Sequence, residues 1–144
     1  MRNRIAVLHG VNLDMLGRRP AEHYGDLSLT RLEFRIEQYA RELRLEARFF
    51  QTNHEGEYVE EIHRASDYAD GLLLNPGAWT HYAWSLRDAV EVSGLPAVEV
   101  HLSDVDNREP FRQVSVLEDV RRGRVSGRGV EGYRDALAAL KELL

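Results

Sequence analysis

The chain has 144 residues, a length that fits one domain with its own hydrophobic core. The formal net charge of −5 argues against a general nucleic-acid-binding protein, and the lack of cysteine excludes disulfides, thiolate catalysis and cysteine-bound zinc. No apolar run is long enough to span a bilayer, so no membrane partner is expected, and a cytoplasmic location is compatible with this composition.

The basic residues are almost all arginine. Lys141 is the single lysine, and the other eighteen of the 19 basic residues are arginines. A Schiff-base mechanism would have to use that one lysine. Lys141 falls outside the apolar stripe of a C-terminal helical pattern, so it is expected to be solvated. The sequence therefore argues against imine catalysis.

Strand-like and helical segments alternate along the chain. The predicted strands are 5–8, 47–51, 71–74, 97–101 and, more weakly, 124–127, and the predicted helices are 29–43, 58–68, 82–92 and 133–144. Ser28 and Thr30 are candidate N-caps of the first helix. This alternation predicts an α/β fold, a flavodoxin-like three-layer sandwich with a five-stranded parallel sheet. With no repeat or linker, we expect one domain over residues 1–144.

A polar segment, residues 12–25, follows the first predicted strand and contains Asn12, Arg19 and Tyr24. Because an opposite charge favours the ionised form of a phenol, an arginine beside a tyrosine suggests a base for proton abstraction. The alternative is a solvated pair with only a structural role, which is the commoner case for such a pair in a loop.

Polar groups also follow the later strands, and the carboxyl ends of parallel strands meet at the edge where ligands bind. Asn75 opens the turn 75–77 into a helix expected to begin near Thr80, where free backbone N–H groups would bind an anion and His81 would lie in the first turn. An ordinary strand-to-helix turn is the alternative interpretation.

His101 ends the fourth predicted strand, and strand alternation places Glu99 on the same face. A carboxylate in that position would orient and charge the imidazole, making it a general acid, although a purely structural histidine fits equally well. Leu102 and Ser103 then open a loop that could hold a carboxylate group.

Arg108 and Arg112 follow that loop, and their four-residue spacing would place them on one helical face. Arg112 is the better candidate for closing over a ligand, although either could be a surface ion-pair partner.

Two further patterns do not predict sites. His54 and His63 lack the HExxH spacing of zinc enzymes, and the glycines between 123 and 132 have neither the P-loop lysine nor the dinucleotide-binding order. The sequence therefore supports no metal, nucleotide or other cofactor.

Five blocks in order resemble the type II 3-dehydroquinate dehydratase family, small flavodoxin-like enzymes of the shikimate pathway. These blocks are 12–25, 51–57, 75–81 with Leu86-Arg-Asp88 after it, 98–103, and 108–112. The resemblance covers nearly the whole chain. It implies trans-elimination of water from 3-dehydroquinate through an enolate, giving 3-dehydroshikimate without a cofactor.

Residue roles follow from the same resemblance. Tyr24 would remove the proton alpha to the ketone and Arg19 would support its ionisation, Asn12 would hold a water against the enolate, and His101 would protonate the departing hydroxyl. The anionic substrate would be bound by Asn75, His81, Leu102, Ser103 and Arg112, while Asp88 would reach a neighbouring subunit's site. The resemblance also implies a mobile lid at about 12–25 and a homo-oligomer, a dodecamer built from trimers.

Several positions depart from the family pattern, and they leave a second interpretation open. They are Val11, Pro20-Ala21, Tyr82-Ala83, Asp104 and Asp106. The alternative is a degenerate homologue that binds a cyclic polyhydroxy acid without turning it over. A flavodoxin-like electron carrier is a third hypothesis, disfavoured by the missing phosphate loop.

Overall fold

The computed structural model describes all residues 1–144 and has one five-stranded parallel sheet. The strands are β1 (Arg4–His9), β2 (Glu46–Gln51), β3 (Gly71–Asn75), β4 (Ala97–His101) and β5 (Gly123–Ser126). The helices are α1 (Ala21–Tyr24), α2 (Leu29–Glu42), α3 (Glu55–Ala65), α4 (Trp84–Ser93) and α5 (Glu131–Leu143). The spatial order β2-β1-β3-β4-β5 is the flavodoxin-like order, so the predicted fold class is confirmed.

Side chains alternate between the two faces of the sheet and divide the core into two layers. Ile5 and Val7 of β1 belong to one cluster with residues of α2 and α5, whereas Ala6 and Leu8 belong to the other with residues of α3 and α4. Strands that are buried on both faces read as continuous apolar runs, as β1 and β3 do in the sequence.

The helices begin where local chemistry fixes them. Ser28 Oγ accepts a hydrogen bond of 3.3 Å from Arg31 N, so Ser28, and not Thr30, is the N-cap of α2. Helix α3 begins at Glu55, three residues before the predicted start, because two glutamates in its first turn suit the positive end of the helix dipole and precede the apolar pattern.

Two local predictions at the carboxyl edge are wrong. Residues Gly77–His81 form a 3₁₀ turn and α4 begins only at Trp84, so His81 ends a turn instead of opening a helix. Arg108 and Arg112 do not share a helical face. Arg108 follows the short 3₁₀ turn Val105–Asn107, whereas Arg112 belongs to the next one, Pro110–Gln113.

Backbone contact joins the ends of β1 and β3, the point where the strand order switches direction. Gly10 N donates a hydrogen bond of 2.8 Å to Asn75 O, and a Cβ at Gly10 would lie 2.2 Å from Pro76 O. Only glycine permits this approach. The loops that follow β1 and β3 therefore hold one another in place at the carboxyl edge.

Two further features bear on the sequence analysis. Lys141 is exposed on α5, as predicted. None of the helices combines the length and the apolar composition that a membrane crossing requires.

Candidate active site

A cavity lies at the carboxyl edge, between the loops that follow β1, β3 and β4. It encloses about 360 Å³ of space, including its open mouth, and 13 residues line it. They are Leu13, Arg19, Tyr24, Asn75, Gly77, Ala78, His81, His101, Leu102, Ser103, Val105, Arg108 and Arg112.

Tyr24 lies between two guanidinium groups. Arg19 stacks over the tyrosine ring, with Cζ 3.6 Å from the ring centroid. Arg108 lies in the loop after β4, and its Nη1 donates a hydrogen bond of 2.5 Å to the Tyr24 hydroxyl oxygen. Two cations next to a phenol stabilise the phenolate relative to the phenol.

The cavity carries an excess of positive charge. Burial lowers the pKa of Arg19; the phenol of Tyr24 opposes that shift, whereas the nearby charges of Arg108 and Arg112 add to it. Glu109 pairs with Arg112 at 2.9 Å and lies 3.7 Å from the buried Nε of Arg108, which has no hydrogen-bond partner. A small anion would satisfy such donors, since arginine pairs well with carboxylates.

Asn75 is fixed from both sides. Its Nδ2 donates to the Tyr133 hydroxyl at 3.1 Å, and its Oδ1 accepts from Gly77 N at 3.2 Å. That second bond uses a backbone N–H which the sequence analysis expected to be free for an anion. The side chain of Asn75 nevertheless lines the cavity as predicted.

His81 has a defined role in hydrogen bonding. Its Nδ1 is 2.7 Å from the carbonyl oxygen of Val114, which can only accept, so Nδ1 carries the proton. Burial lowers the pKa of His81, an effect that the bond to Val114 opposes and the nearby His101 and Arg112 reinforce. The neutral ring therefore leaves Nε2 as an acceptor for a ligand hydroxyl.

His101 is held by a buried carboxylate, as strand alternation predicts. Its Nε2 is 2.5 Å from Glu99 Oε2, and Thr80 Oγ1 donates to the same oxygen. Burial pushes the pKa of Glu99 up, but the hydrogen bonds from His101, Thr80 and Ser115 outweigh burial and hold the pKa at about 2. The carboxylate is thus ionised, and Nδ1 of His101 is left for the cavity.

Most of the predicted site residues meet in this cavity, whereas two do not. Those that line it are Arg19, Tyr24, Asn75, His81, His101, Leu102, Ser103 and Arg112. Asn12 lies outside, exposed and with a positive φ of 67°, and its backbone N–H donates to Asn53 Oδ1 at 2.8 Å. Asp88 is exposed on α4 and pairs with Arg87.

Arg108 is a cavity residue that the sequence alone does not single out. Its side chain contacts the Tyr24 hydroxyl and also reaches Ser103 Oγ at 3.4 Å, although the sequence favours Arg112 over Arg108 as the ligand-binding arginine. The available signal was its position in the loop directly after β4, five residues beyond Ser103.

A parallel sheet with a phenol flanked by cations, an imidazole–carboxylate pair and an arginine-rich cavity at its switch point defines an acid–base enzyme for small anions. Comparison with known proteins places the chain within that class. The family model for class II dehydroquinase matches residues 3–141, and the chain belongs to that family.

Relatives and solved structures agree with this assignment. The chain is 46% identical over 142 residues to a 3-dehydroquinate dehydratase of Pelobacter propionicus, with 98% of this chain and 95% of the relative covered. The structure of a type II dehydroquinase from Butyrivibrio crossotus superposes with a TM-score of 0.92 at 39% identity, covering 96% of this chain and 97% of the other. A type II dehydroquinase from Propionibacterium acnes gives 0.91 at 38% identity, with 99% and 98% covered.

Proposed function

We propose that this chain is a 3-dehydroquinate dehydratase, a hydro-lyase that converts 3-dehydroquinate to 3-dehydroshikimate and water in the shikimate pathway, in the cytoplasm. The proposal depends most on one observation: Tyr24, flanked by Arg19 and Arg108, shares a cavity with the His101–Glu99 pair. A base and an acid are the two groups that elimination of water from a hydroxyketone needs.

In the first step, the Tyr24 phenolate removes the proton alpha to the ketone, and an enolate forms. The guanidinium groups of Arg19 and Arg108 lie at 3.6 and 5.2 Å from the ring centroid of this tyrosine. Their positive charge stabilises the negative charge that develops on the substrate, which lowers the barrier.

In the second step, His101 protonates the departing hydroxyl and the enolate collapses to the enone. Loss of water on the face opposite to proton removal makes the reaction a trans-elimination. Glu99 supports this step because its carboxylate stabilises the imidazolium that acts as the acid.

Substrate binding is assigned to the remaining cavity residues. Arg112 and the loop of Leu102 and Ser103 bind the carboxylate, while Asn75 and the neutral His81 bind hydroxyls. This division follows the charge of each group, since a guanidinium suits a carboxylate and a neutral imidazole nitrogen accepts from a hydroxyl.

We also propose that part of the segment 12–25 acts as a lid on the single domain formed by residues 1–144. Leu13 and Leu16 anchor its first half in the core, whereas Gly17 and Gly25, both with positive φ, bracket a stretch whose hydrogen bonds are local except for that from Arg108 to Tyr24. Asn12, at the anchored end, would need a shift of its own turn to hold a water against the enolate.

The homododecamer of trimers, with Asp88 reaching a neighbouring site, is part of the same proposal. Tyr82 and Trp84 are 61% and 63% exposed beside the start of α4, on which Asp88 lies. Exposed aromatic side chains of this size are typical of an interface. Sedimentation velocity would give the subunit number, and a monomer would contradict this part.

A degenerate homologue that binds without turnover is the alternative, and the departures from the family pattern do not favour it. Tyr82 is exposed and does not line the cavity, Asp104 bonds Asn107, and Asp106 pairs with Arg124 at 2.8 Å. None of the three therefore blocks or neutralises the cavity.

The deciding experiment is ultraviolet absorbance after mixing metal-stripped protein with 3-dehydroquinate, with and without borohydride pretreatment in the presence of substrate. Growth of the enone absorbance, unaffected by borohydride, is expected because the route uses neither a metal nor an imine. Binding seen by calorimetry with no absorbance change would overturn the proposal in favour of the degenerate homologue.

A further inference from the structure

The carboxylate of Glu99 has a second charged partner, on the side away from the cavity. Arg121 Nη1 is 2.7 Å from Oε1 of Glu99, and Ser115 Oγ donates to the same oxygen at 2.7 Å. The side chains of Glu99 and Arg121 are 0% and 15% exposed, so water screens the pair little. We propose that Arg121 is a positioning residue for the general acid, because it balances the charge of Glu99 when His101 gives up its proton.

This inference rests on the proposed function, in which His101 must lose a proton in each turnover. If Arg121 were absent, the neutral imidazole of His101 would leave the buried carboxylate of Glu99 without a cation, which is costly in a low-dielectric interior. With Arg121 in place, the carboxylate keeps one cationic partner in both protonation states of His101. Arg121 thereby reduces the stabilisation that Glu99 gives to the imidazolium and makes His101 a better acid.

The backbone around Arg121 is built to hold this contact. Arg121 N donates to Leu117 O at 2.8 Å, and the next residue, Arg122, donates from its N to Ala97 O at 2.7 Å at the start of β4. Leu117 is fully buried. Arg121 does not line the catalytic cavity, so it acts on His101 only through Glu99.

Other charged and titratable groups surround the pair. On the cavity side, the His81 ring lies 6.5 Å from that of His101, and Arg19, Tyr24, Arg108 and Arg112 line the same space. Behind Glu99, Tyr58 of α3 is near enough to sense its charge, and Asp106, Glu118 and Arg124 share the groove that Arg121 borders. The Glu99 carboxylate forms ion pairs only with His101 and Arg121, and the surrounding groups lie farther away.

The test compares Arg121→Gln, Arg121→Lys and Ser115→Ala with the unmodified protein. Removing the charge should move the alkaline limb of the kcat–pH profile upward by about one pH unit, the order of shift that a nearby charge produces. It should also lower kcat several-fold with little change in KM. Arg121→Lys should restore most of both, and Ser115→Ala, which removes a neutral donor from the same oxygen, should move the limb much less.

Arg121→Met, which keeps the aliphatic stem, replaces Arg121→Gln if the latter does not fold. The proposal is overturned if the uncharged variants leave the limb in place, or if Ser115→Ala moves it equally far. Titration of ¹⁵N-labelled imidazoles by NMR, with His101→Gln to assign the signal, tests the Arg121 effect without turnover. An inactive unmodified protein whose His101 midpoint still shifts in Arg121→Gln would refute the proposed function and not this inference.

Discussion

At the scale of single residues, Tyr24 is a tyrosine whose environment differs from that of the other phenols. Tyr58 and Tyr133 are fully buried, and burial raises the pKa of each. Tyr24 is only half-buried and has cations on two sides. Unlike these two phenols, it lines the catalytic cavity, where its hydroxyl can reach a substrate.

Replacing Tyr24 by Phe should lower kcat by about a hundred-fold or more, because the general base is lost. KM should stay nearly unchanged, because the residues proposed to bind the substrate are all retained. Steady-state kinetics on purified protein would measure both constants. Tyr68→Phe is the matched control, since Arg48 lies over the Tyr68 ring at 4.2 Å, away from the cavity. Near-normal turnover of Tyr24→Phe would remove Tyr24 from the role of base.

The residue scale also shows where prediction from the sequence stops. Glu99 and His101 are two positions apart on one strand, so alternation alone was enough to pair them. The bond from Arg108 to Tyr24 joins residues 84 positions apart, and it depends on how two loops fold over the cavity. Local patterns do not contain that information.

At the scale of elements, the N-cap of α2 distinguishes two residues that the sequence made equivalent. Ser28→Ala should lower the free energy of unfolding by about 1 kcal/mol, because Arg31 N loses its acceptor. Thr30→Ala, inside the exposed first turn, is the control and should change stability much less. Urea denaturation would measure both, and equal losses would contradict the assignment of the cap.

The contact between the loops after β1 and β3 gives a second test at this scale. Gly10→Ala should destabilise the protein by more than about 1 kcal/mol and weaken substrate binding, because the new Cβ would overlap Pro76 beside Asn75. Gly25→Ala is the comparison, since no atom lies within 4 Å of its Cβ position and only its φ of 76° opposes the change. If thermal melts and KM were unaltered in Gly10→Ala, the close approach would not matter.

Element boundaries reveal a second limit of sequence reasoning. The strands were predicted to within one residue at each end, because apolar runs bounded by turn residues are a strong signal. The 3₁₀ turn 77–81 was missed, since Thr and His at its end resemble the start of a helix. Its effect is to put His81 opposite the carbonyl of Val114, which sets the tautomer.

At the scale of the whole molecule, stability should depend on pH through Glu99. Its pKa of about 2 lies below the ordinary value of 4.5, so its contribution is complete above about pH 4.5 and is lost as the pH falls toward 2. Between pH 5 and pH 3 the unmodified protein should lose about 2 kcal/mol more unfolding free energy than Glu99→Gln does. Urea denaturation of both proteins at the two pH values would measure the difference. An equal loss of unfolding free energy in the two proteins would contradict the low pKa of Glu99.

The fold as a whole was accessible from the sequence because every level agreed. Four strand-like runs with a helical pattern between each, and polar groups after all four, favour one parallel sheet with a site at its carboxyl edge, whereas β5 gives only a weak strand signal. Subunit assembly is harder to predict, because it depends on which side chains the fold leaves exposed. The exposure of Tyr82 and Trp84 is known only from the folded structure.

The position of Lys141 has a practical consequence for handling the protein. It is the single side-chain amine, it is exposed, and it lies on α5, which packs on the sheet and contributes no residue to the catalytic cavity. Amine-directed coupling of a dye or a solid support would be confined to this side chain and the α-amino group of Met1. The two can be distinguished because an α-amino group ordinarily has a lower pKa, about 8, than a lysine side chain. The immobilised or labelled material would keep its cavity open, which makes single-molecule and flow-reactor formats feasible without first redesigning the surface.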